Sequence, residues 1–239
     1  MTVEFFPVHR KAYGEQITEQ LRDSIVRGEL PVGQRLVEGH LADQFGVSRG
    51  PIRDALHRLE IESLVESRGT GTYVVGIAAA DIDELYSLRQ AVESLAVDLG
   101  MEHSTESDWA EMTTVVDELD RAAEAQDREA FAMGDTQFHS LIYTHSGHRR
   151  LSDIWHQYAP ILLTLLRTTV LVDADLRDSA AKHRLLLALM MSGDHAAANA
   201  ELRDHLENSH QHMLDTHRRS NDRHVAITTT ESMVSGETA

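Results

Sequence analysis

Four side chains in the second half of the chain have the types and spacing to hold a divalent ion. In Asp135-Thr-Gln-Phe-His139 a carboxylate and an imidazole stand four residues apart, so on a helix both project from one face and can share an ion. His183 lies eight residues before a turn that starts at Met191, and His205 eleven after its end at Asp194. At roughly 1.5 Å of rise per residue each is about 12 to 17 Å from that turn, so in an antiparallel hairpin they face each other at similar height. One carboxylate and three imidazoles suit a borderline ion such as Zn²⁺, Ni²⁺ or Mn²⁺, and spacing does not choose among them. An imidazole inside a helical bundle is also often held by ordinary hydrogen bonds, and spacing leaves that alternative open.

A different chemistry is set out in Gly46–Val65, GVSRGPIRDALHRLEIESLV. Ser48 suits a helix N-cap, where its hydroxyl can accept an early orphan N–H. Pro51 falls in the first turn, where a missing N–H costs nothing. Ile52, Ala55, Leu56 and Leu59 then make one apolar stripe, while Arg49, Arg53 and His57 stand four apart along another face. The preceding segment, Leu36 to Phe45, has Leu36, Leu41, Ala42 and Phe45 as its apolar positions and ends at Gly46-Val47, so two short helices meet across a tight turn. After them Gly69 and Gly71 supply a turn between two short β-prone runs. A helix-turn-helix followed by a hairpin is a winged helix, whose second helix presents arginines to guanine edges and phosphates.

The remaining elements serve to position these two sets. A helix from Tyr13 has Ile17, Leu21 and Ile25 in period, with Gly28 supporting a stop near Leu30-Pro31. From Asp81 onward Pro160 is the only proline, and the pattern predicts six helices. These are Asp81 to about Met101, Trp109–Ala125, Arg128–Ser146, Leu151–Leu171, Leu176–Met191 and His195 to about Arg219. Asp81 would cap the first, with Leu85, Leu88, Val92, Leu95 and Leu99 as its stripe. The fold class is mainly α: an N-terminal winged helix-turn-helix domain over 13–76, then an all-α helical bundle effector domain over 81–219. Residues 1–12 read as a flexible arm and 220–239, rich in Thr, Ser and Glu, as a disordered tail.

The chain of 239 residues has no cysteine, which excludes disulfide, zinc-thiolate and thiol chemistry. No apolar run approaches membrane-spanning length and the N-terminus has no signal-peptide pattern, so no membrane partner and a cytoplasmic location are expected. A net charge of −17 would count against DNA as a partner, since affinity for DNA comes largely from neutralised phosphates. The distribution answers this. Residues 1–76 carry nine Lys/Arg against eleven Asp/Glu, and residues 77–239 thirteen against twenty-eight. Within 47–58 only Asp54 opposes Arg49, Arg53 and Arg58, so the reading head is locally positive.

Residues 13–75 resemble the DNA-binding domain of the GntR family of bacterial regulators. The resemblance lies in Gln20-Leu-Arg-Asp-Ser-Ile-Val-Arg-Gly-Glu-Leu30, Pro31-Val-Gly-Gln-Arg-Leu36 and Gly46-Val-Ser-Arg-Gly-Pro-Ile-Arg-Asp-Ala-Leu56. The helical second half resembles the FCD-type effector domain of the FadR branch, so that the resemblance covers nearly the whole chain. It implies DNA contacts from Arg35, Ser48, Arg49, Gly50, Arg53 and Arg58, with Gly69, Thr70 and Gly71 at the wing. It implies that Asp135, His139, His183 and His205 are the metal ligands, as in the metal-containing members of that branch. Zn²⁺ is the first choice of ion, with Ni²⁺ or Mn²⁺ as alternatives. Arg89 matches a position whose arginine holds the acid group of the effector; its bland alternative is a surface ion pair with Glu93. Arg167 faces either the pocket or a partner subunit.

The function implied is a ligand-responsive transcription repressor, a homodimer on a palindromic double-stranded operator, released by a small organic acid. Two alternatives stand beside it: a regulator for which the ion itself is the signal, and a metal-dependent hydrolase. The hydrolase leaves the reading head unexplained and has no carboxylate beside the ligands to act as general base. In one departure from the better-known FadR pattern, Gly39 stands where that pattern has an arginine, so the family's operator sequence does not transfer.

Overall fold

The computed structural model describes residues 11–171 and 175–236, with side chains for 13–171 and 175–219. The expected arm, 1–12, and tail, 220–239, fall outside the residues described with side chains. The chain divides into two compact units, Met1–Ile77 and Ala78–Ala239.

In the first unit, α1 (Lys11–Val26), β1 (Arg35–Leu36), α2 (Glu38–Phe45) and α3 (Arg49–Ile61) precede a hairpin of β2 (Val65–Arg68) and β3 (Gly71–Val74). The α1 stripe Ile17, Leu21 and Ile25 is buried, as are Ile52, Ala55, Leu56 and Leu59 of α3, the helix against which α1 packs. Gly46 closes α2 with φ 65°, the left-handed conformation that costs a glycine nothing. Val47 then donates back to the Ala42 carbonyl at 3.0 Å, which makes the turn tight enough for α3 to start at once. The strand order is β1-β3-β2, all antiparallel, with Arg68 opposite Gly71 across the Gly69-Thr70 turn. Leu36 is not the first apolar position of the second helix. It pairs with Thr72 in β1, a strand of two residues too short to leave a period, and is buried there.

Among its described residues the second unit has six helices: α4 (Ala79–His103), α5 (Glu106–Ala125), α6 (Arg128–His145), α7 (Arg149–Val170), α8 (Arg177–Ser192) and α9 (His195–Gly236). Side-chain caps set the starts of α5, α6 and α7. Thr105 and Asp108 bond reciprocally at the start of α5, Asp127 accepts from the Ala130 N–H at 3.0 Å, and His148 Nδ1 accepts from the Leu151 N–H at 3.3 Å. Asp81 is not the N-cap of α4 but lies a turn inside, where its carboxylate accepts from the Ala78 N–H at 2.7 Å. α9 continues past Arg219, the end its periodicity predicts, to Gly236.

One helix is turned over relative to expectation. The face of α4 that enters the core carries Ile82, Tyr86, Arg89, Glu93, Ala96, Val97 and Gly100. Of the leucine stripe, Leu88 and Leu95 remain 43% and 46% exposed, and Leu85, Val92 and Leu99 are half-buried. Arg89 and Glu93 go in as a buried ion pair, Glu93 also meeting His139, which offsets part of the cost of burying their charges.

Candidate metal centre and reading helix

α6 presents Asp135 and His139 to the middle of the bundle, α8 presents His183 and α9 His205. All four are buried, and one ligand atom from each lies within 4.8 Å of the others. Their hydrogen bonds decide what those atoms are. His183 Nδ1 lies 2.8 Å from the Ser179 carbonyl, which can only accept, so the ring proton is on Nδ1 and Nε2 carries a lone pair. That lone pair faces the Asp135 carboxylate at 3.0 Å and has no hydrogen-bond partner. His139 Nδ1 is in direct contact with the Glu93 carboxylate, which places the proton there too. Its Nε2 therefore also carries a lone pair, 3.2 Å from the Nε2 of His205. Burial, followed by the neighbouring imidazoles, holds the His205 pKa well below its ordinary value, so this ring stays neutral. A carboxylate and several imidazole lone pairs thus converge with too few protons to separate them. A divalent cation resolves that repulsion, and the donor set fits one.

Around the four lies a shell that spacing did not reveal. Glu93 is wholly buried between Arg89 and His139, and the Tyr143 hydroxyl, itself bonded to Tyr158, donates to it at 3.5 Å. This orienting carboxylate fixes the His139 tautomer as outer partners of ligating histidines do. Arg89 is not on the surface as the bland alternative supposed. It is 2% exposed, its Nε donates to Glu93 at 3.3 Å, and the guanidinium lies over the Tyr86 ring at 5.2 Å. Its Nη2 is buried with no acceptor. The signal for the pair was available: Arg89 and Glu93 are the only charged residues between Glu84 and Asp98. A cavity of about 260 Å³ opens beside Asp135 and His205, with Ser179, Lys182, Asn208 and Gln211 among its lining. Arg167 lines no part of it; it is bound to Glu129 of α6 at 2.6 Å.

In the first unit Ser48 occupies the N-cap of α3 with extended backbone, but its hydroxyl makes no cap bond to the helix. It is exposed together with Arg49, Gly50, Arg53 and Arg58. Arg35, also exposed, stands on β1 opposite Tyr73, and Gly69, with φ 59°, turns the wing tip with Thr70 and Gly71. Arg53 is bonded through both Nε and Nη2 to Glu38 of α2, and Arg58 is 3.8 Å from Glu15. The Arg49 guanidinium lies over Gly39, where an added Cβ would come within 3.3 Å of Nη2.

A winged helix followed in the chain by an all-helical domain is the build of a DNA-binding transcription regulator. Comparison with known proteins agrees. Residues 13–74 match the bacterial regulatory proteins of the gntR family, and residues 84–208 match the FCD domain. The chain belongs to the GntR family, in the branch with an FCD domain, and its relatives are regulators rather than enzymes. It is 30% identical over 195 residues to a probable D-xylose utilization operon transcriptional repressor of Paenarthrobacter nicotinovorans, covering 80% of this chain and 85% of that one. It is 32% identical over 145 residues to the HTH-type regulator YdhC of Bacillus subtilis, covering 59% of this chain and 64% of that one. The structure of McbR/YncC from E. coli superposes with a TM-score of 0.69 at 26% identity, over 85% of this chain and 97% of that one. Among the described residues no helix is long and apolar enough to cross a membrane.

Proposed function

We propose that this regulator is a homodimeric repressor whose helical domain holds a Zn²⁺ ion on Asp135, His139, His183 and His205 and releases a palindromic operator when a small organic acid docks beside the ion. The observation that carries the reading is the convergence of a carboxylate and imidazole lone pairs in a buried space with few protons between them. The buried Arg89 Nη2, without an acceptor, supports a role in holding the acid. Arg49 and Arg53 near the start of α3, with Arg35, Ser48, Gly50, Arg58 and the wing-tip residues Gly69, Thr70 and Gly71, make the DNA-reading set. The relative named as a repressor of xylose utilization supports the sign of regulation.

Binding of the acid would shift the population toward a bundle arrangement in which two reading heads no longer match the half-site spacing. A second reading has its own support. Four protein ligands complete a tetrahedral Zn²⁺ shell with no open position, which favours the ion itself as the signal.

One experiment separates these. The protein, loaded with Zn²⁺ or stripped by chelator, is titrated with carboxylic acids while bound to an operator selected from random DNA. Release by an acid only when zinc is present is the expected result. Release by stripping alone makes the ion the signal, and equal acid response with and without zinc removes the metal as anchor.

A further inference from the structure

Helix α5 carries two pairs of carboxylates at the same spacing, and only one pair has a permanent counter-charge. Asp117 and Asp120 stand three residues apart and hold the Arg184 guanidinium of α8 between them, at 2.6 and 2.5 Å. Asp108 and Glu111, also three apart, are paired with no lysine or arginine among the described residues. What lies against them is the His145 imidazole from the last turn of α6, its Nε2 3.7 Å from Asp108 Oδ1 and 3.2 Å from Glu111 Oε2. One ligand atom from each of the three lies within 4.8 Å of the others.

The bundle gives His145 no other polar partner. Its side chain is only 7% exposed, and Nδ1 is buried without a hydrogen bond, so the ring's polar contacts all lie on the side of the two carboxylates. Asp108 is held in place for this meeting. Its Oδ2 accepts from the Thr105 N–H and hydroxyl, both at 2.8 Å, which leaves Oδ1 for the imidazole. A proton on Nε2 would serve only one of the two carboxylates, because 3.7 Å is beyond hydrogen-bond reach. The spacings are instead those of neighbouring ligands on one ion. Metal–ligand bonds of about 2.1 Å set adjacent donors about 3.0 Å apart in an octahedron and about 3.4 Å apart in a tetrahedron. The Asp135 cluster has edges of the same size, 3.0 and 3.2 Å.

We propose that Asp108, Glu111 and His145 form a second divalent-cation site, which shares no residue with the Asp135 cluster and does not depend on the function proposed above. With two carboxylates to one imidazole it is richer in oxygen than that cluster, and it suits a six-coordinate ion such as Mn²⁺ whose remaining positions are filled by water. Three ligands open to solvent make it the weaker and more readily exchanged of the two. An ion there ties the start of α5 to the end of α6, the helix that also carries Asp135 and His139.

The test counts ions on the full chain. Protein loaded with one Zn²⁺ per chain and freed of excess metal is titrated with Mn²⁺, and the free ion is followed by its electron paramagnetic resonance signal. Zinc outcompetes manganese for nitrogen donors, so the Asp135 cluster stays out of the count. The parent is expected to take up one Mn²⁺ per chain. Glu111→Gln is expected to weaken that uptake at least about tenfold, the loss that removal of an outer partner alone would bring. Its circular dichroism and zinc content should not change, because Glu111 is 56% exposed and caps nothing, unlike Asp108. The same ion, with the same dependence on Glu111, is expected in a His183→Ala chain. Uptake that survives Glu111→Gln, or that disappears in His183→Ala, belongs elsewhere on the chain and overturns the proposal, as does no uptake at millimolar Mn²⁺.

Discussion

Changing Glu93 to Gln tests the centre at the point where orientation and charge can be told apart. Glu93 has two jobs in the structure. It fixes the His139 ring through Nδ1, and it balances the buried guanidinium of Arg89. Glutamine keeps the shape and can still accept from His139, but it removes the charge that makes the imidazole a stronger donor to an ion. Loss of such an outer partner lowers metal affinity by about 10- to 100-fold, or about 1.4 to 2.8 kcal/mol. The same change leaves Arg89, 2% exposed, without a counter-charge, and a broken buried pair costs about 3 to 5 kcal/mol. The two effects separate in the double variant Arg89→Met, Glu93→Gln, which removes both charges. Urea unfolding of metal-free protein should show the single variant strongly destabilised and the double variant restored most of the way. Zinc titration against a competing chelator should show both weakened, because neither has the carboxylate on His139. A Glu93→Gln protein that binds zinc as tightly as the parent would refute the orienting role. A double variant no more stable than the single one would refute the charge pairing.

Other substitutions test the remaining parts. His183→Ala should lower zinc content and thermal stability together, because an ion on the proposed ligands would tie α6, α8 and α9, whereas the exposed His156→Ala should change neither; inductively coupled plasma analysis with a thermal melt decides. Arg49→Ala or Arg53→Ala should each cost about 1 to 3 kcal/mol of specific operator binding at matched salt with the fold intact, as read by fluorescence anisotropy. Glu38→Gln should strengthen binding to operator and random DNA alike at low salt, because it frees Arg53 and removes a negative charge near the phosphates; unchanged affinity in both would mean Arg53 is not at the DNA.

The parts most legible in the sequence were those fixed by local chemistry. Gly46 had to be the turn between α2 and α3, Gly69 the wing tip, and the Asp135-His139 spacing placed two donors on one helical face whatever the rest of the bundle did. What failed to show was set by tertiary contacts. β1 has two residues and leaves no period, so Leu36 was read as helical. On α4 the apolar period pointed outward, since hydrophobicity alone does not distinguish a face that meets its own bundle from one that meets something else. The same inversion hid Glu93, whose burial depends on His139 arriving from α6, forty-six residues away. The uncharged surroundings of Arg89 and Glu93 were the one local sign that those two residues belong inside.

Gly39, beneath the Arg49 guanidinium, bears on how regulators of this build diverge. Two helices share one volume there, and only the absence of a side chain on α2 lets an arginine from α3 occupy it. After a gene duplication, a single-base codon change from glycine to arginine at this position would bring a second guanidinium against the first. An arginine there would therefore press the Arg49 guanidinium out of its present place, and change two side chains of the candidate reading surface in one step. The shared volume thus ties the identity of position 39 on α2 to the place of Arg49 on α3, so the two positions change together.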